Sequence, residues 1–146
     1  MNGFSFYAPD DETFHHVLGY AITEWRYGFA RLEMDVKPRH LAGGGYVHGG
    51  VLMGLIDVAA LYAGNYVDGR RRPLVTINLA TSFISSGRCA RLVAEGRLQY
   101  AQDRMFFAEA TVSDPDDGRV VAAGSGSFRF LAPPEEAREA TRHPVA

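Results

Sequence analysis

The stretch from Gly49 to Gly64 limits the fold more than any other part of the chain. It reads Gly-Gly-Val-Leu-Met-Gly-Leu-Ile-Asp-Val-Ala-Ala-Leu-Tyr-Ala-Gly, with one carboxylate, Asp57, in its middle. At helical spacing it is apolar on nearly every side, so it must be buried on nearly every side. Such a helix requires a sheet curved around it, a partner subunit, or both. The segment is short for a membrane span and carries Asp57 and several glycines, so a buried core helix is expected and no membrane association. A glycine loop leads into it: Gly43-Gly44-Gly45-Tyr46-Val47-His48.

The flanking residues read as strands. Ala21 to Tyr27 alternates loosely, Gly28 breaks the pattern, and Phe29 to Val36 alternates clearly. Ala30, Leu32, Met34 and Val36 fall on one face, and Arg31, Glu33 and Asp35 on the other. That spacing predicts a hairpin turning near Gly28. After the helix, Asp68-Gly69-Arg70-Arg71-Arg72-Pro73 reads as a polar turn, its three arginines expected in a solvated loop rather than forming an anion site. Four strands follow. Leu74 to Ile84 is rich in β-branched residues. Arg91 to Tyr100 places Leu92, Ala94, Leu98 and Tyr100 on one face. Met105 to Val112 is apolar on both faces, and Arg119 to Phe130 carries small residues at Gly124–Ser127 that admit another backbone, such as that of the helix. Asp114-Pro115-Asp116-Asp117-Gly118 is a hairpin signal.

Ahead of the first hairpin, Pro9 to Glu12 starts a short helix over roughly 11–18, preceded by an irregular arm. Pro133-Pro134 closes the domain. The chain therefore divides into one domain, 1–131, and a polar tail, 132–146. Antiparallel strands with one segregated helix make this an α+β fold.

Composition narrows the function. The chain has 146 residues and a net charge of -2. A charge that small gives no reason to expect nucleic acid or an anionic membrane surface as partner. Cys89 is the only cysteine, so no internal disulfide forms, which suits a reducing cytoplasm. Met1 to Tyr7 lacks a basic and an apolar region, so no signal peptide is expected.

A buried helix approached through His48-Gly49-Gly50, with an acid eight residues after the first glycine, resembles the hotdog fold. More narrowly, the chain is similar to the phenylacetate-pathway (PaaI-type) branch of hotdog acyl-CoA thioesterases. The residues that carry the likeness are His40-Leu41, Gly45-Tyr46-Val47-His48-Gly49-Gly50, Asp57, Val75-Thr76-Ile77-Asn78-Leu79, Gly118 to Ala122, and Gly124 to Phe128. The likeness spans roughly Phe14 to Leu131. It implies a long central helix wrapped by a curved antiparallel sheet of five to six strands. It implies hydrolysis of an acyl- or aroyl-CoA thioester, with coenzyme A as part of the substrate and no other cofactor. It also implies a homodimer, paired further into a tetramer.

The chemistry assigns roles. A helix N-terminus presents unpaired N–H groups and a partial positive charge, which polarise a thioester carbonyl. The resemblance places this role on Gly49, with Gly50 beside it. Asp57 is the candidate base or nucleophile; a charged residue on an apolar background is otherwise costly. It lies two turns past Gly49, roughly 12 Å along the axis. It cannot easily reach a carbonyl held by its own Gly49. An antiparallel pairing of helices in a two-fold dimer brings it to the other subunit's Gly49 end.

Other candidates have two readings each. His48 caps the helix or touches substrate. Thr76 matches a position where the family often carries a hydroxyl beside the acid, or it is simply a β-branched strand residue. Arg88 and Arg104, at strand ends, meet the phosphates of coenzyme A or face solvent. Leu52, Met53, Ile56 and Tyr62 are expected to line an apolar acyl pocket.

One departure is specific. In the family an amide side chain commonly sits seven residues before the first helical glycine; here that residue is Ala42, and Gly43-Gly44 replaces the usual Pro-His pair. A more mobile loop and slower turnover are expected, unless Asn78 or His40 takes over. Ala42 also keeps open a non-catalytic acyl-CoA binding or sensor module. A dehydratase acting on β-hydroxyacyl thioesters ranks lower, because its acid would fall on Gly54. His48 and Asp57 are too few for a metal site. Gly124-Ser125-Gly126-Ser127 lies in a strand and not in the strand-to-helix turn of a serine hydrolase.

Overall fold

The computed structural model describes residues 12–67 and 69–131. The expected arm at 1–10 and the tail at 132–146 lie outside the described residues. Element order is α1 (Phe14–Leu18), β1 (Tyr20–Arg26), β2 (Phe29–Asp35), α2 (Gly49–Gly64), β3 (Leu74–Phe83), β4 (Arg91–Gln102), β5 (Met105–Ser113) and β6 (Val120–Phe130). The six strands form one sheet in the order β1-β2-β4-β5-β6-β3, antiparallel throughout. Helix α2 packs against all six. This is the helix-in-a-curved-sheet architecture that the sequence led us to expect.

Packing explains why α2 needs no polar face. Leu55, Ile56, Ala59, Ala60, Tyr62 and Ala63 are buried, opposite Leu32, Met34, Leu92, Ala94, Phe106 and Phe128. Each fully buried Leu, Ile or Phe contributes about 1.5–3 kcal/mol. Small residues set the spacing. A Cβ at Gly96 on β4 would run into the Ala59 carbonyl, so the helix backbone rests directly on the sheet there. The sequence placed that approach at Gly124–Ser127. At Gly124 the helix instead sends a side chain: a Cβ would lie 3.0 Å from Ile56 Cγ2 and would meet the Ala80 carbonyl of β3. Trp25 on β1 fastens the far edge, its Nε1 donating to the Tyr62 carbonyl at 2.9 Å.

Three expectations are corrected. The first helix begins at Phe14 and not near residue 11. It covers α2 at Gly54, where a Cβ would lie 3.1 Å from Leu18 Cδ1 and 3.3 Å from the Phe14 ring. The β5 strand is central, between β4 and β6, as its apolar run suggests, but only one face is covered: Phe106, Ala108, Ala110 and Val112 are buried while Phe107 is 46% exposed. Tyr100 does not share a face with Leu98. The register shifts between them, so Leu98 opposes Ala108 and Tyr100 opposes Phe107. That bulge turns Tyr100 to the outer face, 56% exposed.

Two turns follow the sequence closely. Gly28, at φ 78°, turns the first hairpin, and Gly118, at φ 73°, the last. In the latter, Asp114 Oδ1 accepts from the Asp116 N–H at 3.0 Å.

Candidate active site

The approach to α2 is tied down by backbone bonds on both sides. His48 N–H donates to the His40 carbonyl at 2.8 Å, Val47 N–H to the Gly87 carbonyl at 2.9 Å, and Ala42 N–H to the Tyr46 carbonyl at 2.7 Å. Gly44 (φ 82°) and Gly45 (φ 77°) make a bend that other residues rarely adopt. Arg88 clasps this bend: its Nη2 donates to the Gly44 carbonyl at 2.9 Å, and its guanidinium lies 4.9 Å over the Tyr46 ring.

The first amides of α2 are not equivalent. His48 is the N-cap, and its Nδ1 accepts from Gly50 N–H at 2.9 Å. Val51 and Leu52 N–H donate to the His48 carbonyl at 2.9 and 3.4 Å. Gly49 N–H has no acceptor among the described residues. His48 therefore caps, as one of its two readings held, and in doing so occupies the Gly50 amide. Of the two glycines proposed from the resemblance, only Gly49 offers an open N–H. The Phe83 ring stands 3.3 Å from where a Gly49 Cβ would be, an apolar wall beside that amide.

Asp57 sits on the flank of α2 that faces the start of β3, partly buried. Thr76 Oγ1 donates to Asp57 Oδ1 at 2.8 Å. Burial pushes the Asp57 carboxyl up from its ordinary 3.8, and the Thr76 hydrogen bond partly offsets that. Oδ2 has no hydrogen-bond donor among the described residues. The pair therefore combines a fixed oxygen, a free oxygen and a raised proton affinity, as a base that activates water requires.

The other predicted residues scatter. Met53 is 38% exposed on the same side of α2. Leu52, Ile56 and Tyr62, expected in an acyl pocket, are 4%, 0% and 1% exposed and fill the subunit's own core. An all-apolar helix cannot show from sequence which apolar residues its sheet will cover. Arg88 lies by the Gly49 end of α2. Arg104 lies at the other end of the sheet, in the β4–β5 turn, where its carbonyl accepts from Phe130 N–H at 2.8 Å.

Neither candidate stand-in for Ala42 is placed to serve. His40 is 1% exposed, its Nδ1 accepting from Lys37 N–H at 3.0 Å and its Nε2 lying 3.2 Å from the Val17 carbonyl. Asn78 lines an outer hollow with Gln99, Phe107 and Glu109. The Arg88 clasp was missed by sequence reasoning; an arginine beyond a strand carries no local signal of what it reaches. Among the described residues, no three His, Cys, Asp or Glu side chains gather to hold a metal ion.

Comparison with known proteins gives a consistent picture. The thioesterase superfamily profile matches residues 44–121. A Pseudomonas aeruginosa protein named "Putative esterase PA0474" is 33% identical over 68% of this chain and 73% of its own length. The solved structure of the esterase Rv1847/MT1895 of Mycobacterium tuberculosis, also named putative, superposes with a TM-score of 0.75. It is 30% identical and covers 83% of this chain and 98% of that one. The E. coli PaaI protein from the phenylacetic acid degradation operon shares the fold, with a TM-score of 0.73 at 24% identity over 81% of this chain and 83% of that one.

Proposed function

The chain belongs to the thioesterase superfamily, and from that premise we propose that it hydrolyses an acyl- or aroyl-CoA thioester to the free acid and coenzyme A. The observation that carries this reading is the Asp57–Thr76 pair together with the open Gly49 amide. The narrower likeness to the PaaI-type branch supports coenzyme A as the carrier.

In the proposed reaction the thioester carbonyl accepts from the Gly49 N–H, where the helix dipole favours the developing oxyanion. Water held at Asp57 attacks the carbonyl carbon and gives its proton to the carboxylate. The C–S bond breaks, and the leaving thiolate takes that proton. Alternatively Asp57 attacks directly and water clears the acyl intermediate. The free oxygen of Asp57 suits either course.

The two halves are about 12 Å apart along one helix, from the 1.5 Å rise per residue. A homodimer with shared sites resolves the gap. Support comes from β3, a ten-residue edge strand beside Asp57. Val75, Ile77 and Phe83 are 36%, 51% and 56% exposed there. Uncovered apolar edge strands are rare in isolated subunits, since they invite pairing. A second copy pairing along this edge would cover them and carry one subunit's Gly49 toward the other's Asp57. Two such dimers form the proposed tetramer, and the lone cysteine suits a cytoplasmic setting. Among the described residues no helix is long and apolar enough to cross a membrane.

Ala42 favours a second reading, a module that binds acyl-CoA without turning it over. The test separates them. Purified protein is given a panel of acyl-CoAs and thiol release is followed. Release that Asp57→Ala abolishes supports hydrolysis; tight binding with no thiol release by wild type supports the binding module.

A further inference from the structure

Both elements that carry the candidate base lead into one cleft. It measures about 350 Å³ and is lined by Leu61, Asn65, Arg71, Arg72, Pro73 and Leu74. That is the size of a small ligand pocket. Leu61 follows Asp57 by four residues on α2, one turn further along the same face and about 6 Å away. Leu74 precedes Thr76 by two residues on β3, on the same strand face and about 7 Å away. An acyl group whose carbonyl sits at Asp57 and which runs toward the helix C-terminus ends in this cleft.

The wall at its end is rigid and cationic. Asn65, 1% exposed, grips the Arg72 backbone twice. Its Nδ2 donates to the Arg72 carbonyl at 2.9 Å, and its Oδ1 accepts from Arg72 N–H at 2.8 Å. The Arg72 guanidinium lies 4.1 Å over the Phe130 ring. Stacking holds the plane of the group while its N–H edge stays available to an anion. No carboxylate pairs with Arg72 among the described residues; the ion pairs there engage Arg26, Arg31, Arg97 and Arg119. The C-terminal carbonyls of α2 oppose an anion with roughly half a unit of negative charge, which a full guanidinium charge outweighs.

Resting on the thioester-hydrolase reading, we propose that the cleft takes an anionic group of the substrate, namely a carboxylate at the far end of the acyl chain. The favoured substrates are then monothioesters of short dicarboxylic acids. The 6–7 Å from Asp57 and Thr76 to the near walls of the cleft corresponds to an acyl chain of at least about five carbons, taking standard bond lengths and an extended chain. The phosphates of coenzyme A share the same chemistry but hang at the end of a long pantetheine arm, far from the carbonyl.

Glutaryl-CoA and pentanoyl-CoA have equal acyl carbon counts and differ in the terminal carboxylate. Rates for both are measured on wild type, Arg72→Gln and Arg72→Lys, with thermal melts to check folding. Wild type is expected to favour glutaryl-CoA by roughly tenfold or more in kcat/KM, on the scale of a charge-assisted contact. Arg72→Gln should collapse that ratio through KM, and Arg72→Lys should restore much of it. Should Arg72→Gln fail to fold, raised salt on wild type must erode the glutaryl preference by screening. A wild-type preference for pentanoyl-CoA, or a ratio that Arg72→Gln leaves unchanged, overturns the proposal. Equal weakening of both substrates that disappears with glutaryl thioesters lacking the nucleotide assigns the cleft to a phosphate and also overturns it. If neither thioester is hydrolysed, that counts against the hydrolase reading for these two substrates and leaves the cleft to be read separately. Calorimetric binding of the two thioesters to wild type then reads the cleft alone: tighter glutaryl-CoA supports it, and equal affinity overturns it.

Discussion

At the scale of single residues, Asp57 is held between two influences. Burial raises its pKa, and Thr76 works against that rise. Hydrolysis needs the ionised form, so the acid limb of kcat/KM against pH should lie above the ordinary 3.8 of an aspartate. Thr76→Val removes the lowering influence and should move that limb further up while reducing kcat. A profile unmoved by the substitution would dissociate Thr76 from the base. Asp57→Asn should lower kcat by about 10²–10⁴. Its effect on stability has the opposite sign. A raised carboxyl pKa contributes stability below 3.8 and loses it as pH rises through the raised value. At neutral pH the Asn variant, which keeps an acceptor for Thr76, should therefore melt no lower than wild type. Asp57 stood out in the sequence as a candidate base because a lone carboxylate on an apolar helix needs a reason, and its bond to Thr76 matches one of the two readings given for that threonine. The role of His48 was not legible, since capping and substrate contact need the same residue in the same place.

At the scale of elements, α2 and its bed on β4 dominate. Gly96→Ala should destabilise by about 1–3 kcal/mol or more, because the added methyl meets the Ala59 carbonyl, which cannot move alone. Chemical denaturation reads this directly. His48→Ala should lose about 1 kcal/mol of helix capping. It would also open the Gly50 amide as a second donor beside Gly49, so stability and activity should respond separately. The hairpins at Gly28 and Gly118 were legible because positive-φ glycines sit between alternating runs. The bulge at Leu98/Tyr100 was not, because it depends on the ladder with β5 and not on β4 itself. For the same reason the sequence could name Leu52, Ile56 and Tyr62 as apolar without seeing that the sheet takes them.

At the scale of the whole molecule, one subunit holds the two candidate halves of the proposed site apart. Gly49 and Asp57 stand at different levels of one helix, and the β3 edge beside Asp57 is left apolar and unpaired. The proposed dimer makes the long helix part of two sites at once. Gly49→Pro removes the amide at the first position of a helix, which proline suits, while the exposed Phe83 ring, 3.3 Å from the Cβ position, has to give by a few tenths of an ångström. His48, at φ -64° and ψ 136°, already has the extended backbone that a following proline requires. Gly49→Pro and Asp57→Asn should each be inactive as pure homodimers. The most direct measurement is thiol release after the two are mixed and allowed to exchange subunits. If sites are shared, each mixed dimer regains one intact site, and random pairing restores about one quarter of wild-type activity. If each site lies within one subunit, the mixture stays as inactive as its components, and the shared-site account is wrong.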